Sequence, residues 1–330
     1  MYLVGVGEDL IVRREMGEAG MDVLRSRRDA PTTPDYGNPD GATGAVSLVD
    51  DAVRHHFLDE HSLEITARER DGLADVAPLL KPGTTVAIAF LPTETNEDRV
   101  EAAITVRGLG LEPMPHLSAR RLTSERQLET LVQRLTGEAG VRKVFLIAGD
   151  PSSPAGPFAD TVSMLRTGLF ERHGITSVGI AGHPEGHPVM DEAELWLAMD
   201  EKISEIRERG MKPSLVTQFS FDADAVLAWL EHLRQRGFDL PVRVGIPGPA
   251  GIKRLLRYAT MCGVGSSASV LKKYGISLTK LIGPAGPDRL VDQLRAAIHP
   301  ELGNVAAHMH PFGGLLPTIE WATGYRTKTR

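Results

Sequence analysis

From Ser62 onward the chain alternates short apolar runs with longer stretches whose apolar residues recur at helical spacing. The runs are SLEITA, TTVAIAFL, LEPMPHL, KVFLIAG, SVGIAG, SLVTQF, PVRVGI and NVAAHMH. Most lack in/out alternation, which is the pattern of parallel strands buried on both faces. Strand-like segments end near Ala67, Pro92, Ser118, Asp150, His183, Ser220, Gly248 and Phe312. Helices are expected between them, over 96–108, 123–139, 159–170, 191–209, 222–236 and 250–262. Eight alternations fit a (βα)8 TIM barrel, an α/β fold, over residues 61–312. An open doubly wound sheet is the alternative. It predicts a phosphate-binding glycine turn after the first strand, where LEITARERD has no glycine.

Outside that span the pattern weakens. Residues 1–60 read as an N-terminal extension or linker, because RRDAPTTPDYGNPDGATG is rich in proline, glycine, aspartate and threonine. The final crossover, residues 264–302, is longer than the others and is expected to hold two helices. Residues 313–330 read as a C-terminal tail with one apolar patch, LLPTIEW.

Composition narrows the function classes. Hydrophobic residues at 42% and charged residues at 24% are ordinary globular values. A net charge of −6 and aromatics at 5% argue against a nucleic-acid binder. No stretch approaches the ~20 apolar residues of a membrane span, and the amino terminus reaches acidic residues too early for a secretory h-region, so a cytoplasmic protein is expected. Cys262 is the only cysteine, which excludes an internal disulfide and a multi-cysteine zinc site; its YATMCGVG setting suits a buried structural thiol.

In a barrel of this type, chemistry belongs at the carboxyl ends of the strands. Residues 177–222 form one such unit: strand, polar loop HPEGHP, helix, and a second strand ending in VTQFSFD. A right-handed crossover makes the strands parallel and brings His183, His187 and Gln218 to one rim. Glu64 sits in an otherwise apolar strand, where desolvation would raise its pKa toward a useful general acid; an ion-paired core glutamate is the other reading. Asp150 ends KVFLIAGD before a proline and serves either as a turn cap or as a site carboxylate. His116, His183 and His187 are all at strand ends. Flanking prolines and the lack of an obvious fourth ligand fit loop walls around a cofactor better than a metal site, so no metal is expected. Gln218 can both donate and accept, which suits an amide or pterin edge. Lys202, on the intervening helix, reads on its own as a solvated charge.

Read together, HPEGHP, VTQFSFD, AGD at 148–150, PHLSA at 115–119 and LEIT at 63–66 resemble the methylenetetrahydrofolate reductase family, in the family's own order. The resemblance spans roughly residues 60–312 and implies a flavoprotein barrel that reduces 5,10-methylenetetrahydrofolate to 5-methyltetrahydrofolate. The implied cofactors are FAD and NADH or NADPH, with no ribose-reading signature to choose between the two. It makes Glu64 the acid, with Asp150 and Gln218 orienting the pterin. His116, Asp150, His183, His187, Lys202 and, as a ribose contact, Glu194 would hold the flavin, and His308 the folate tail.

Departures from the family pattern mark a divergent branch. Ala148 stands where an arginine is common, His183 replaces an aromatic residue, and Gly248-Pro249-Ala250 replaces the usual turn. In HMHPFGG only His308 matches the family's word. Two alternatives therefore stand beside the flavin enzyme: direct hydride transfer from the nicotinamide, and a non-catalytic folate-binding subunit. The partner implied is a small tetrahydrofolate derivative. The sequence leaves open the oligomeric state, a homo-oligomer included, and whether the pathway feeds methionine synthesis or runs in reverse to oxidise methyl groups.

Overall fold

The computed structural model describes residues 57–261 and 284–329. Cys262, nearly all of the expected N-terminal extension and the first part of the long crossover lie outside the described residues. Eight parallel strands among the described residues close into a barrel. They are β1 (Ser62–Ile65), β2 (Thr85–Ile88), β3 (Glu112–Ser118), β4 (Lys143–Ile147), β5 (Ser177–Gly182), β6 (Lys212–Phe219), β7 (Val242–Pro247) and β8 (Val305–His310). Closure is made by β1 against β8, with Ser62 opposite His308 and Leu63 opposite Met309. The fold is the expected TIM barrel.

Alternation along each strand divides the core in two. Leu63, Ile65, Val86, Ile88, Val144, Leu215, Val244, Ala307 and Met309 point outward into the large cluster under the helices. A smaller cluster, Ala87, Met114, Phe145 and Val216, fills the barrel interior. Gly179 makes room for it: a Cβ there would lie 2.6 Å from the Phe145 ring. Phe145 thus plugs the interior and forms the floor beneath the mouth.

The helices begin at the polar residues the sequence provides. Asn96–Gly108 starts at a capping box of Thr95 and Asp98, and Glu192–Glu208 at one of Asp191 and Glu194. Residues 313–330, expected as a tail, instead include a helix over Leu315–Thr329 that buries Leu315, Thr318, Ile319, Ala322 and Tyr325. Tyr325 donates a short hydrogen bond to Asp292 on the Asp288–Ala297 helix, which is the described part of the long crossover. No helix among the described residues is long and apolar enough to cross a membrane.

Candidate active site at the carboxyl end of the barrel

The β1–β8 closure builds the centre of the site. Ser62 Oγ lies 2.7 Å from His308 Nδ1, as their register requires. One pair further along, His310 Nδ1 lies 3.2 Å from Glu64 Oε1. The other carboxylate oxygen is flanked by His308 Nε2 and His116 Nε2, each at 3.8 Å, too long for a hydrogen bond. Glu64, His116, His308 and His310 are all buried. The His116 ring rests on Phe145 at 4.6 Å, and His310 is walled by Phe219 and Phe312.

Electrostatics here reverse one expectation. Burial pushes the Glu64 carboxyl up, and positive charge around it, to which the His310 and His308 imidazoles contribute, draws it below the usual carboxylate range. Expected as an acid of raised pKa, Glu64 is a carboxylate in a nest of rings. Burial keeps two of the neighbouring rings from charging easily: His116 is pushed down to about 3 and His308 to about 4, although Glu64 opposes both shifts. His308, expected at the folate tail, is instead fully buried beside the acid.

Asp150 receives two hydrogen bonds from Arg121, Nε at 2.9 Å and Nη2 at 2.7 Å. The guanidinium absent at Ala148 is thus supplied from the turn after β3. Gly149, at φ +97°, lets the turn after β4 approach Ser118 closely, since a Cβ there would lie 2.2 Å from Ser118 Oγ. A cavity of about 340 Å³ opens beside the pair, lined by Phe90, Glu94, Arg99, His116, Ser118 and Arg121. Arg99 is buried, stacks on Phe90 at 4.3 Å and donates from Nη2 to Asn96; its Nε and Nη1 find no acceptor among the described residues. Ser118 Oγ is likewise unsatisfied there.

At the end of β5, His183 and His187 meet edge to face, with ring centres 5.1 Å apart. Burial pushes His183 down to about 3, and the neighbouring His187 and Lys202 add to the shift. Lys202 is half-buried: desolvation lowers its pKa, with Asp160 and Glu201 opposing the shift. Glu194 is held away from this group by its capping box, where Oε2 accepts from the Asp191 backbone at 2.9 Å. His116 stands with Glu64, so the three expected loop-wall histidines do not form one group.

Gln218 owes its position to a bulge. The β6–β7 register shifts between Val216 and Phe219, and Thr217 Oγ1 accepts the Gly245 N–H at 2.9 Å. Gln218 is buried, and its Oε1 has no partner among the described residues. Bulges of this kind re-aim side chains at barrel rims.

The family model for methylenetetrahydrofolate reductase matches residues 84–277. The chain belongs to this family. It is 29% identical over 170 residues to Methylenetetrahydrofolate reductase (NADH) 1 of Arabidopsis thaliana, covering 46% of this chain and 27% of that one. Against Methylenetetrahydrofolate reductase 1 of Schizosaccharomyces pombe it is 26% identical over 160 residues, covering 45% and 25%. The chain therefore spans about a quarter of the length of the curated relatives it matches. Among solved structures, a Clostridium thermocellum protein that binds two copies of 5-methyl-5,6,7,8-tetrahydrofolic acid has the same fold. Its TM-score is 0.55 at 10% identity, covering 82% of this chain and 95% of that one.

Three residues at the site of this methylenetetrahydrofolate reductase family member escaped sequence reasoning. Arg121 is the second of two arginines after PHLSA, so a basic residue near a strand end was its only signal. His310 shares the H-x-H spacing of HMH, which sets two rings on one strand face. Arg99 has no signal, because it lies in the first turns of an ordinary helix.

Proposed function

We propose that the chain reduces 5,10-methylenetetrahydrofolate to 5-methyltetrahydrofolate, with FAD at the barrel mouth and NADH or NADPH as the donor. The observation that carries this reading is Glu64, a buried carboxylate paired with His310 at the active end of a barrel of this family. The Clostridium thermocellum relative in fold, which binds a methylated folate, supports the substrate class.

The residues present suit a flavin. Lys202, desolvated beside His183 and His187, would hold its phosphates. The unsatisfied Gln218 Oε1 and Ser118 Oγ, with the Asp150–Arg121 pair, would meet its polar ring edge or that of the pterin. When bound, FAD would supply the hydride it receives from the nicotinamide. The protein's part is the proton. Glu64, 3.2 Å from His310, would deliver it to folate N10. The five-membered ring then opens to an iminium ion ready for hydride. Such an acid contributes about 10²- to 10⁴-fold, and positioning by Asp150 and Gln218 adds to it.

The test separates the two half-reactions. Glu64→Gln is expected to keep reduction of the flavin by NADH and lose folate turnover; equal loss of both counts against the role. Direct hydride transfer without flavin is favoured by the His183 ring, which meets His187 edge to face instead of offering the flat face of an aromatic side chain. A visible spectrum after reconstitution decides: flavin bands support FAD, and their absence supports the direct route. Failure of the wild-type chain to oxidise NADH with methylenetetrahydrofolate would leave a folate-binding subunit.

A further inference from the structure

His308 and His310 are two apart on β8, so both rings enter the barrel interior, and Glu64 faces them from β1. One ligand atom from each of the three lies within 4.8 Å of the other two. We propose that Glu64, His308 and His310 bind a divalent transition metal of the zinc type. The site goes beyond the folate reading and does not depend on it.

Two imidazoles and one carboxylate are the donor set of open zinc sites, which keep a further position for water or substrate. One donor atom already lacks a partner: His308 Nε2 makes no hydrogen bond among the described residues although its ring is buried, and His310 presents Nδ1 3.2 Å from Glu64 Oε1. Leaving such atoms unsatisfied is unfavourable, and a cation satisfies them. Ser62 completes the arrangement. Its Oγ lies 2.7 Å from His308 Nδ1, and by accepting from an Nδ1–H it would leave Nε2, 3.8 Å from Glu64 Oε2, free to bind the metal. Metal-bound histidines carry this kind of outer partner.

Size and access are compatible. Bonds of ~2.1 Å in a tetrahedron separate donors by roughly 3.4 Å, so an edge of up to 4.8 Å must close by up to about 1.4 Å through ring rotation. Phe219 and Phe312 give the His310 side a dry wall. On the other side His116, 3.8 Å from Glu64 Oε2, also lines the 340 Å³ cavity, which provides a route in. His116 is positioned to add a fourth donor or to leave that place to water. A cation and a proton compete for the Glu64 carboxylate, so a loaded site would stop proton delivery; this last consequence alone rests on the proposed reductase role.

The experiment uses the full chain, stripped with a chelator and titrated with Co²⁺ without folate or nucleotide. One equivalent should bind with visible ligand-field bands, and Zn²⁺ should displace it. His308→Ala and His310→Ala should each abolish the bands, while Ser62→Ala should keep them and weaken binding about 10- to 100-fold. His183→Ala should leave them unchanged. The inference is overturned if the wild type binds no Co²⁺, or if the bands survive loss of His308 and His310 or vanish with His183. Should the alanine variants fail to fold, Zn²⁺ must still raise the thermal midpoint of the wild type and not that of His310→Tyr; equal shifts, or none, refute the site.

Discussion

Arg121 and Asp150 face each other across the β3–β4 gap through a two-pronged pair, 2.9 and 2.7 Å, that restores a guanidinium beside the site aspartate. Both side chains are a fifth to a quarter exposed, so the pair contributes less than about 1 kcal/mol to stability. Its value is geometric. Arg121→Ala should lower folate turnover about 10-fold or more with only a small change in thermal midpoint, and Arg121→Lys should recover little, because lysine cannot make the paired contact. Steady-state kinetics beside a melting curve checks this; a large stability loss with intact turnover would make the pair purely structural.

Acid should destabilise the fold earlier than ordinary carboxylate titration would. His116 and His183 are pushed down to about 3 and His308 to about 4, whereas in the unfolded chain each titrates near 6.5. Between those values the unfolded chain binds more protons, so stability rises with pH. It is fully present above about 6.5 and drains as pH falls toward 4, by up to about 1.4 kcal/mol per pH unit for each ring. Melting curves from pH 8 to 4.5 should show this slope, and His183→Phe should reduce it; a flat profile would contradict it.

Lys202 sets stability against cofactor retention. A desolvated lysine weakens the fold, so Lys202→Met should leave the thermal midpoint unchanged or raised while loosening flavin. Flavin content after dialysis, measured with a melt, tests both halves.

Gly245 guards the bulge that aims Gln218. A Cβ there would lie 2.7 Å from the Phe219 backbone and 2.8 Å from that of Gln218, neither of which can yield as a flexible side chain would. Gly245→Ala should therefore cost several kcal/mol, about 3 or more, or prevent folding. Thr217→Val is the milder probe: losing the hydroxyl that accepts the Gly245 N–H should cost about 1–3 kcal/mol and reduce turnover through Gln218. Chemical denaturation of both variants provides the comparison.

Most of the barrel was legible because strand and helix periods are local. Apolar runs such as KVFLIAG and SVGIAG specify strands buried on both faces wherever they fall. The Leu315–Thr329 helix was missed for a local reason: Pro317 and Gly324 break the pattern, yet proline is tolerated in a first helical turn. Glu194 shows why a single letter is ambiguous: beside a flavin motif, a capping glutamate looks the same as a ribose contact.

The sequence alone determined which residues make strands, where those strands stop, and that Glu64, Asp150 and Gln218 belong at one end of a barrel. Only closure decided their chemistry. Glu64 meets a histidine 246 positions away, and Asp150 an arginine 29 positions back. Hydrogen bonds and Coulomb interactions depend on distance through space, so the histidines that surround Glu64 were set by the β1–β8 seam and were invisible to any window of sequence.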